Sequence, residues 1–175
     1  MLLGMALNWL KLCKSQKNRG KLNLNNIKNI VNNLVTKFET RNPFELCKCL
    51  NIPILYEPLG NIKGFFQNTL NTPIIHLNSN LNEYEINCVI SHELGHAVLH
   101  KDFNVCFLKH YTFSVTDKYE NEANKFTAEL LIEDNSFIGI LDVNNLITCE
   151  DLSKYFSVPT EFIYYKFNNL VYKIK

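Results

Sequence analysis

Apolar residues recur at helical spacing along two stretches of this chain, and short apolar runs broken by turn residues lie between them. A helix is predicted from about Asn25 to Thr40 and a short one from Pro43 to Leu50. Three short strands then follow, at Ile52 to Tyr56, Gly64 to Gln67 and Pro73 to Leu77. Beyond them Asn82 can cap a helix whose first turn carries Glu83 and Glu85 and whose apolar residues continue from Ile86 to Leu99. In the next helix Ala123, Phe126, Leu130 and Leu131 share a face, with Thr116 or Asp117 available as a cap. Glu150 to Lys166 reads as helix, turn, helix. Helices around a small sheet make an α+β chain, with no repeat, long linker or Pro- or Gly-rich spacer.

Composition adds bounds to that outline. The 175 residues fit one domain, and 46% hydrophobic content is enough to build a core. The organisation expected is an N-terminal extension over residues 1–24, a main domain over 25–140 and a C-terminal helical segment over 141–175 packed on it. A net charge of +1 gives no electrostatic reason to expect nucleic-acid binding by the whole protein. Locally Lys11, Lys14, Lys17, Arg19 and Lys21 form a basic stretch, which reads as a solvated tail. The apolar run Met1 to Leu12 contains Asn8, is much shorter than the roughly 20 residues that span a bilayer, and has its positive charges after it. It is expected to be an extra helix or an extension, so neither a membrane nor a secreted setting is predicted. Six cysteines without a secretory context read as reduced, mostly buried thiols in a cytoplasmic protein.

The chemistry is carried by His92-Glu93-Leu94-Gly95-His96. At a rise of about 1.5 Å and 3.6 residues per turn, the two imidazoles stand about 6 Å apart along the axis and about 40° apart around it, near enough to hold one ion. Two histidines packing at a core edge are the bland alternative. Zinc with Glu93 beside it as general base is the reading preferred here. Gly95, mid-helix, costs about 1 kcal/mol against Ala, which implies a packing reason such as the close approach of a strand.

Catalytic zinc takes three protein ligands and leaves a position open, so a third is sought downstream. His100 on the same helix lies about 12 Å along the axis from His92, too far to share the ion, and is expected to pack against or support the site. On the following helix Glu122 borders the apolar stripe, whereas Glu120 and Lys125 read as solvent-facing. Glu122 is therefore the expected third ligand.

These two motifs, His92 to His100 and Glu122-Ala123-Asn124-Lys125-Phe126-Thr127-Ala128-Glu129-Leu130-Leu131, resemble the ImmA/IrrE-type zinc metallopeptidases. The likeness extends upstream through Asn42 to Leu46, Gly64-Phe65-Phe66 and Ile74 to Asn78. It implies a minimal zincin-like fold of the gluzincin type, from a bacterium or phage, with Zn2+ on His92, His96 and Glu122 and Glu93 as general base. It also implies a helix-turn-helix repressor as the protein substrate. Thr127 stands where the family commonly has Ala, and Leu131-Ile132-Glu133-Asp134 lacks the Met-Pro that often closes this helix.

Water attack on a peptide carbonyl is the expected reaction, with His110, Tyr111 or Tyr119 as candidate oxyanion donors. The strand Pro73 to Leu77 is a candidate edge on which a substrate backbone adds as a further strand. The C-terminal helix pair lacks the Arg- or Lys-rich surface of a DNA reader, so packing on the core or gripping substrate is expected of it. The rival functional class is a regulatory protein of the same fold that grips a transcription factor with little or no proteolysis.

Overall fold

The structure, a computed structural model, describes residues 24–70, 72–100, 113–134 and 147–167. In chain order these form helices α1 (Leu24–Phe38) and α2 (Pro43–Cys49) and strands β1 (Ile54–Glu57), β2 (Gly64–Thr69) and β3 (Thr72–Asn78). Helices α3 (Glu83–Leu99), α4 (Phe113–Leu131), α5 (Cys149–Phe156) and α6 (Thr160–Phe167) follow. The class is α+β, as the sequence predicts. Residues 1–23 of the expected extension over 1–24, together with His110 and Tyr111, lie outside the described residues.

The sheet departs from one expectation. Its order is β1-β3-β2, with β1 parallel and β2 antiparallel to β3, so the strand predicted as an edge is the central one. Both ladders of β3 are taken, and Ile75 and Leu77 are fully buried there. Among the described residues the outer strand on the α3 side is β2. Gly64 at its start permits that approach, because a Cβ there would meet Val89 Cγ1 at 2.6 Å and the His76 carbonyl at 2.8 Å.

Helix α3 begins on Asn82, whose side chain accepts from the Glu85 N–H while the Glu85 carboxylate accepts from the Asn82 N–H. This reciprocal cap satisfies two otherwise orphan donors. Helix α4 starts earlier than expected, at Phe113, which places Thr116 and Asp117 inside it. Its far end is closed by Arg41, whose Nη1 donates to the Glu129 and Leu130 carbonyls at 3.1 Å each. A cation on terminal carbonyls supplies the stop that Met-Pro does not.

One core joins Ile27, Val31 and Leu34 of α1, Leu46 of α2, Phe66, Ile75 and Leu77 of the sheet, Ile90 and Leu94 of α3, and Phe126 and Leu130 of α4. Each such side chain contributes roughly 1.5–3 kcal/mol by leaving water. A second cluster binds α5 and α6 to α3 and α4 through Cys88, Ala128, Ile132, Val158, Phe162 and Ile163. The Lys166 ammonium is drawn in beside it, 2.6 Å from Glu129 Oε2 and 2.6 Å from Asp134 Oδ1. Lys166 of α6 is thus spent inside the fold.

Candidate metal centre

Gly95 is the point where α3 and α4 touch. A Cβ there would lie 3.3 Å from Ala123 Cα and 3.2 Å from Phe126 Cδ1, so the close neighbour is a helix and not the expected strand. That contact brings one turn of α4 alongside His92 and His96.

The carboxylate it delivers is Glu120. Nε2 of His92 is 3.1 Å from Glu120 Oε2 and 3.1 Å from Nε2 of His96, and Nε2 of His96 is 3.5 Å from Glu120 Oε1. Among the described residues this is the group of His, Cys, Asp and Glu whose donor atoms converge, all within 4.8 Å of one another. Glu122, the expected third ligand, is elsewhere: its Oε2 lies 2.8 Å from Nε2 of His100. The burial cue misled, for a physical reason. The Glu122 side chain is 6% exposed and held behind the pair, whereas that of Glu120 is 45% exposed and stands where the cluster opens to solvent.

Two imidazole nitrogens and one carboxylate suit zinc. With one donor atom from each residue the three lie within 4.8 Å of one another, and the two imidazole nitrogens are 3.1 Å apart, close to the roughly 3.3 Å that bonds of about 2.0–2.1 Å at tetrahedral angles require.

Electrostatics follow from burial and these contacts. The His92 imidazole at 3.1 Å and then that of His96 at 3.5 Å hold the Glu120 carboxyl well below the usual carboxylate range. Burial works against protonation of His92, yet the bond to Glu120 and the charges of Glu93 and Glu120 outweigh it and raise its pKa. For His96 burial wins and lowers the pKa, with the charges of His92 and His100 acting in the same sense. Glu93 is buried on α3, and desolvation lifts its carboxyl to about 7 even though His92 and a hydrogen bond from the Phe66 backbone N–H pull the other way. A carboxyl so poised exchanges protons readily near neutrality.

His92 and Glu93 open onto a cleft of about 320 Å³ whose other walls include Gly64 and Lys63 of the β2 side, Val89, Asn124 and Phe162. Asn124 bonds to the His92 side chain, and its Nδ2 donates to Tyr165 Oη at 3.3 Å. Tyr165 Oη in turn donates to Asn121 Oδ1 at 2.5 Å. These contacts, the Phe66 N–H and Glu120 itself were not singled out by sequence reasoning. Only Glu120 left a signal there, an acid one turn before the small residue Ala123.

Among the described residues, the remaining candidates have other partners. Tyr119 packs edge-on against His100, ring centroids 4.7 Å apart. His76 stacks on Phe65 and has Nδ1 2.5 Å from Glu57 Oε2. Thr127, buried, donates its hydroxyl to the Ala123 carbonyl at 2.9 Å, so the change from Ala leaves no unsatisfied polar atom.

Comparison with known proteins identifies the family. The family model described as the IrrE N-terminal-like domain matches residues 47–168. The chain is 40% identical over 151 residues to the uncharacterized immunity region protein 2 of Bacillus phage phi105, covering 86% of this chain and 93% of that one. It is 32% identical over 146 residues to metallopeptidase ImmA of Bacillus subtilis (strain 168), covering 82% and 85%. With a model that spans most of the chain and relatives matched over nearly their full length, the protein belongs to the ImmA/IrrE-type family.

Proposed function

We propose that this protein is a zinc-dependent endopeptidase whose substrate is a helix-turn-helix repressor. The observation that carries the reading is the convergence of His92, His96 and Glu120, with His92 and the neighbouring Glu93 opening onto a cleft. His92, His96 and Glu120 would hold the ion in this reading, with Glu120 in the place first given to Glu122. When bound, zinc supplies Lewis acidity toward a carbonyl oxygen and toward water.

The chain's own residues divide the remaining work. Glu93, with its pKa near 7, takes the proton of the attacking water and returns it to the leaving amine. The Phe66 N–H holds that carboxylate in place from the outer strand. Strand β2, the outer strand on this side among the described residues, lies beside the cleft, and an extended substrate segment would lie along it, the role first assigned to β3. Apolar Val89 and Phe162 give a side chain of that segment a surface to bury against. The repressor assignment rests on the family and on the phage relative's name, which refers to an immunity region. A cytoplasmic setting suits such a target, and no described helix is long and apolar enough to cross a membrane.

The test uses full-length protein, its Glu93→Gln and Glu120→Ala variants, and a helix-turn-helix repressor encoded beside it. Expected are one zinc per chain in the wild type and in Glu93→Gln, loss of zinc in Glu120→Ala, and cleavage slowed about 10²–10⁴-fold in Glu93→Gln. Full turnover by Glu93→Gln would refute its role as base. A repressor bound but left intact by the zinc-loaded wild type would favour the gripping protein over the peptidase.

A further inference from the structure

Behind the metal-facing side of His96 lies a buried chain of hydrogen bonds that the proposed reaction does not use. His96 Nδ1 is 3.2 Å from His100 Nδ1, and His100 Nε2 is 2.8 Å from Glu122 Oε2. The three side chains are 2%, 2% and 6% exposed, so solvent does not substitute for any of these partners.

A carboxylate stands at each end of this chain, and the closer one sets its polarity: Glu122 Oε2 is 2.8 Å from His100 Nε2, whereas Glu120 Oε1 is 3.5 Å from His96 Nε2. A carboxylate only accepts, so His100 must present Nε2–H to Glu122. A neutral imidazole carries one proton, which leaves His100 Nδ1 as an acceptor. His96 must then donate from Nδ1–H, and its lone pair is left on Nε2, the atom that faces His92 and Glu120. We propose that Glu122 and His100 are positioning residues that fix His96 in the Nδ1–H tautomer and so hold its Nε2 ready for the ion. This inference rests on the metal-centre reading above and assigns a role to the acid that sequence reasoning took for a ligand.

The geometry argues against a purely space-filling role. His100 is the C-cap of α3 and its backbone N–H already bonds to the His96 carbonyl at 2.8 Å, so the helix end is satisfied without the imidazole. An apolar side chain would fill the same volume beside Tyr119. A buried acid opposite it would then have lost its hydrogen-bond donor, and that pairing is what the His100 ring provides. Partners of this kind orient metal-binding imidazoles, and their removal typically weakens metal binding about 10- to 100-fold.

Two readouts test this independently of turnover. In metal-free wild type at mildly alkaline pH, long-range ¹H–¹⁵N spectra of histidine-labelled protein should show His96 protonated on Nδ1 and His100 on Nε2. Chelator competition should give zinc affinity about 10- to 100-fold weaker in His100→Leu than in wild type. In His100→Gln, whose amide keeps one donor and one acceptor, affinity should stay within about threefold of wild type. An Nε2–H tautomer on His96, or wild-type affinity in a folded His100→Leu, would overturn the proposal. Should His100→Leu fail to fold, the wild-type tautomers and the Gln variant decide. Loss of zinc in Glu120→Ala alongside unchanged His100→Leu would sink this inference alone. Zinc retained equally in Glu120→Ala would sink the metal-centre reading itself.

Discussion

Gly95→Ala should separate the needs of the helix from those of the site. In isolation the change favours folding, because Ala is worth about 1 kcal/mol over Gly in a helix interior. The added methyl, however, would stand 3.3 Å from Ala123 Cα and 3.2 and 3.3 Å from two atoms of Phe126, inside the 3.5–4.0 Å at which carbon atoms rest. Phe126 is fully buried and Ala123 Cα is backbone, so relief must come from moving α4 outward by a few tenths of an ångström. Overpacking of this kind costs about 1–3 kcal/mol. The balance is a net loss of up to about 2 kcal/mol, or a Tm lower by up to about 4–8 °C for a chain of this size. Glu120 rides on α4 one turn from Ala123, so the donor separations of 3.1 and 3.5 Å to the histidines should open with it. If restoring the wild-type spacing costs about 1 kcal/mol, zinc affinity falls about fivefold. Thermal unfolding of metal-free protein and chelator competition measure the two effects. A variant that melts higher than wild type and binds zinc as tightly would refute the claim that this contact sets the spacing of the site.

The Lys166 and Glu129 side chains are each 5% exposed, so Lys166→Met, which leaves Glu129 and Asp134 without their shared cation, should cost about 3–5 kcal/mol by denaturant unfolding. A loss under 1 kcal/mol would mean that Lys125, 2.9 Å from Glu129, suffices alone. Burial raises the thiol pKa of Cys47 to about 12 and that of Cys88 to about 11, so neither should react with iodoacetamide near neutral pH until the protein is unfolded. Rapid native labelling at either position, read by mass spectrometry, would contradict that burial. For Asp134, desolvation opposes ionisation, but hydrogen bonds from Lys166 and Lys28 prevail and hold its pKa down. A depressed acid stabilises the fold above its ordinary pKa and loses that contribution as pH falls through the depressed value. Asp134→Asn should therefore be less stable than wild type at neutral pH and equal to it in strong acid, and a difference independent of pH would disprove the linkage.

Much of this was legible in the sequence because it depends on local physics. The cap at Asn82, the helical spacing from Ile86 to Leu99 and the one-turn offset of His92 from His96 are properties of a single helix. What failed to show was relative placement. Whether β3 is central depends on which strands pair with it, and a run of alternating residues carries no record of its neighbours. In the same way Gly95 announced a close contact without naming the partner. Glu120 and Glu122 are the sharpest case. Two residues apart on a helix they point about 200° from each other, so one helix rotation sends one acid to the histidine pair and the other to His100. An apolar stripe drawn on α4 alone does not fix that rotation to the needed accuracy.

The choice between the two acids also follows from what a catalytic metal requires. Three protein ligands with a position left open must sit where substrate can reach, so one donor at least borders solvent. Glu120, nearly half exposed, meets that condition, while Glu122, buried against His100, does not. Burial instead suits an acid that must keep a neighbouring imidazole in one tautomer, since water would offer that ring a competing partner. On the proposed reading a ligand and its support thus come from positions two apart on one helix, both within the turn before the Ala123 contact. Any substitution that rotates α4 about that contact should disturb both together: zinc binding should weaken and the His96 tautomer should lose its bias in the same variant. Finding one effect without the other in such a variant would show that the two acids are positioned independently.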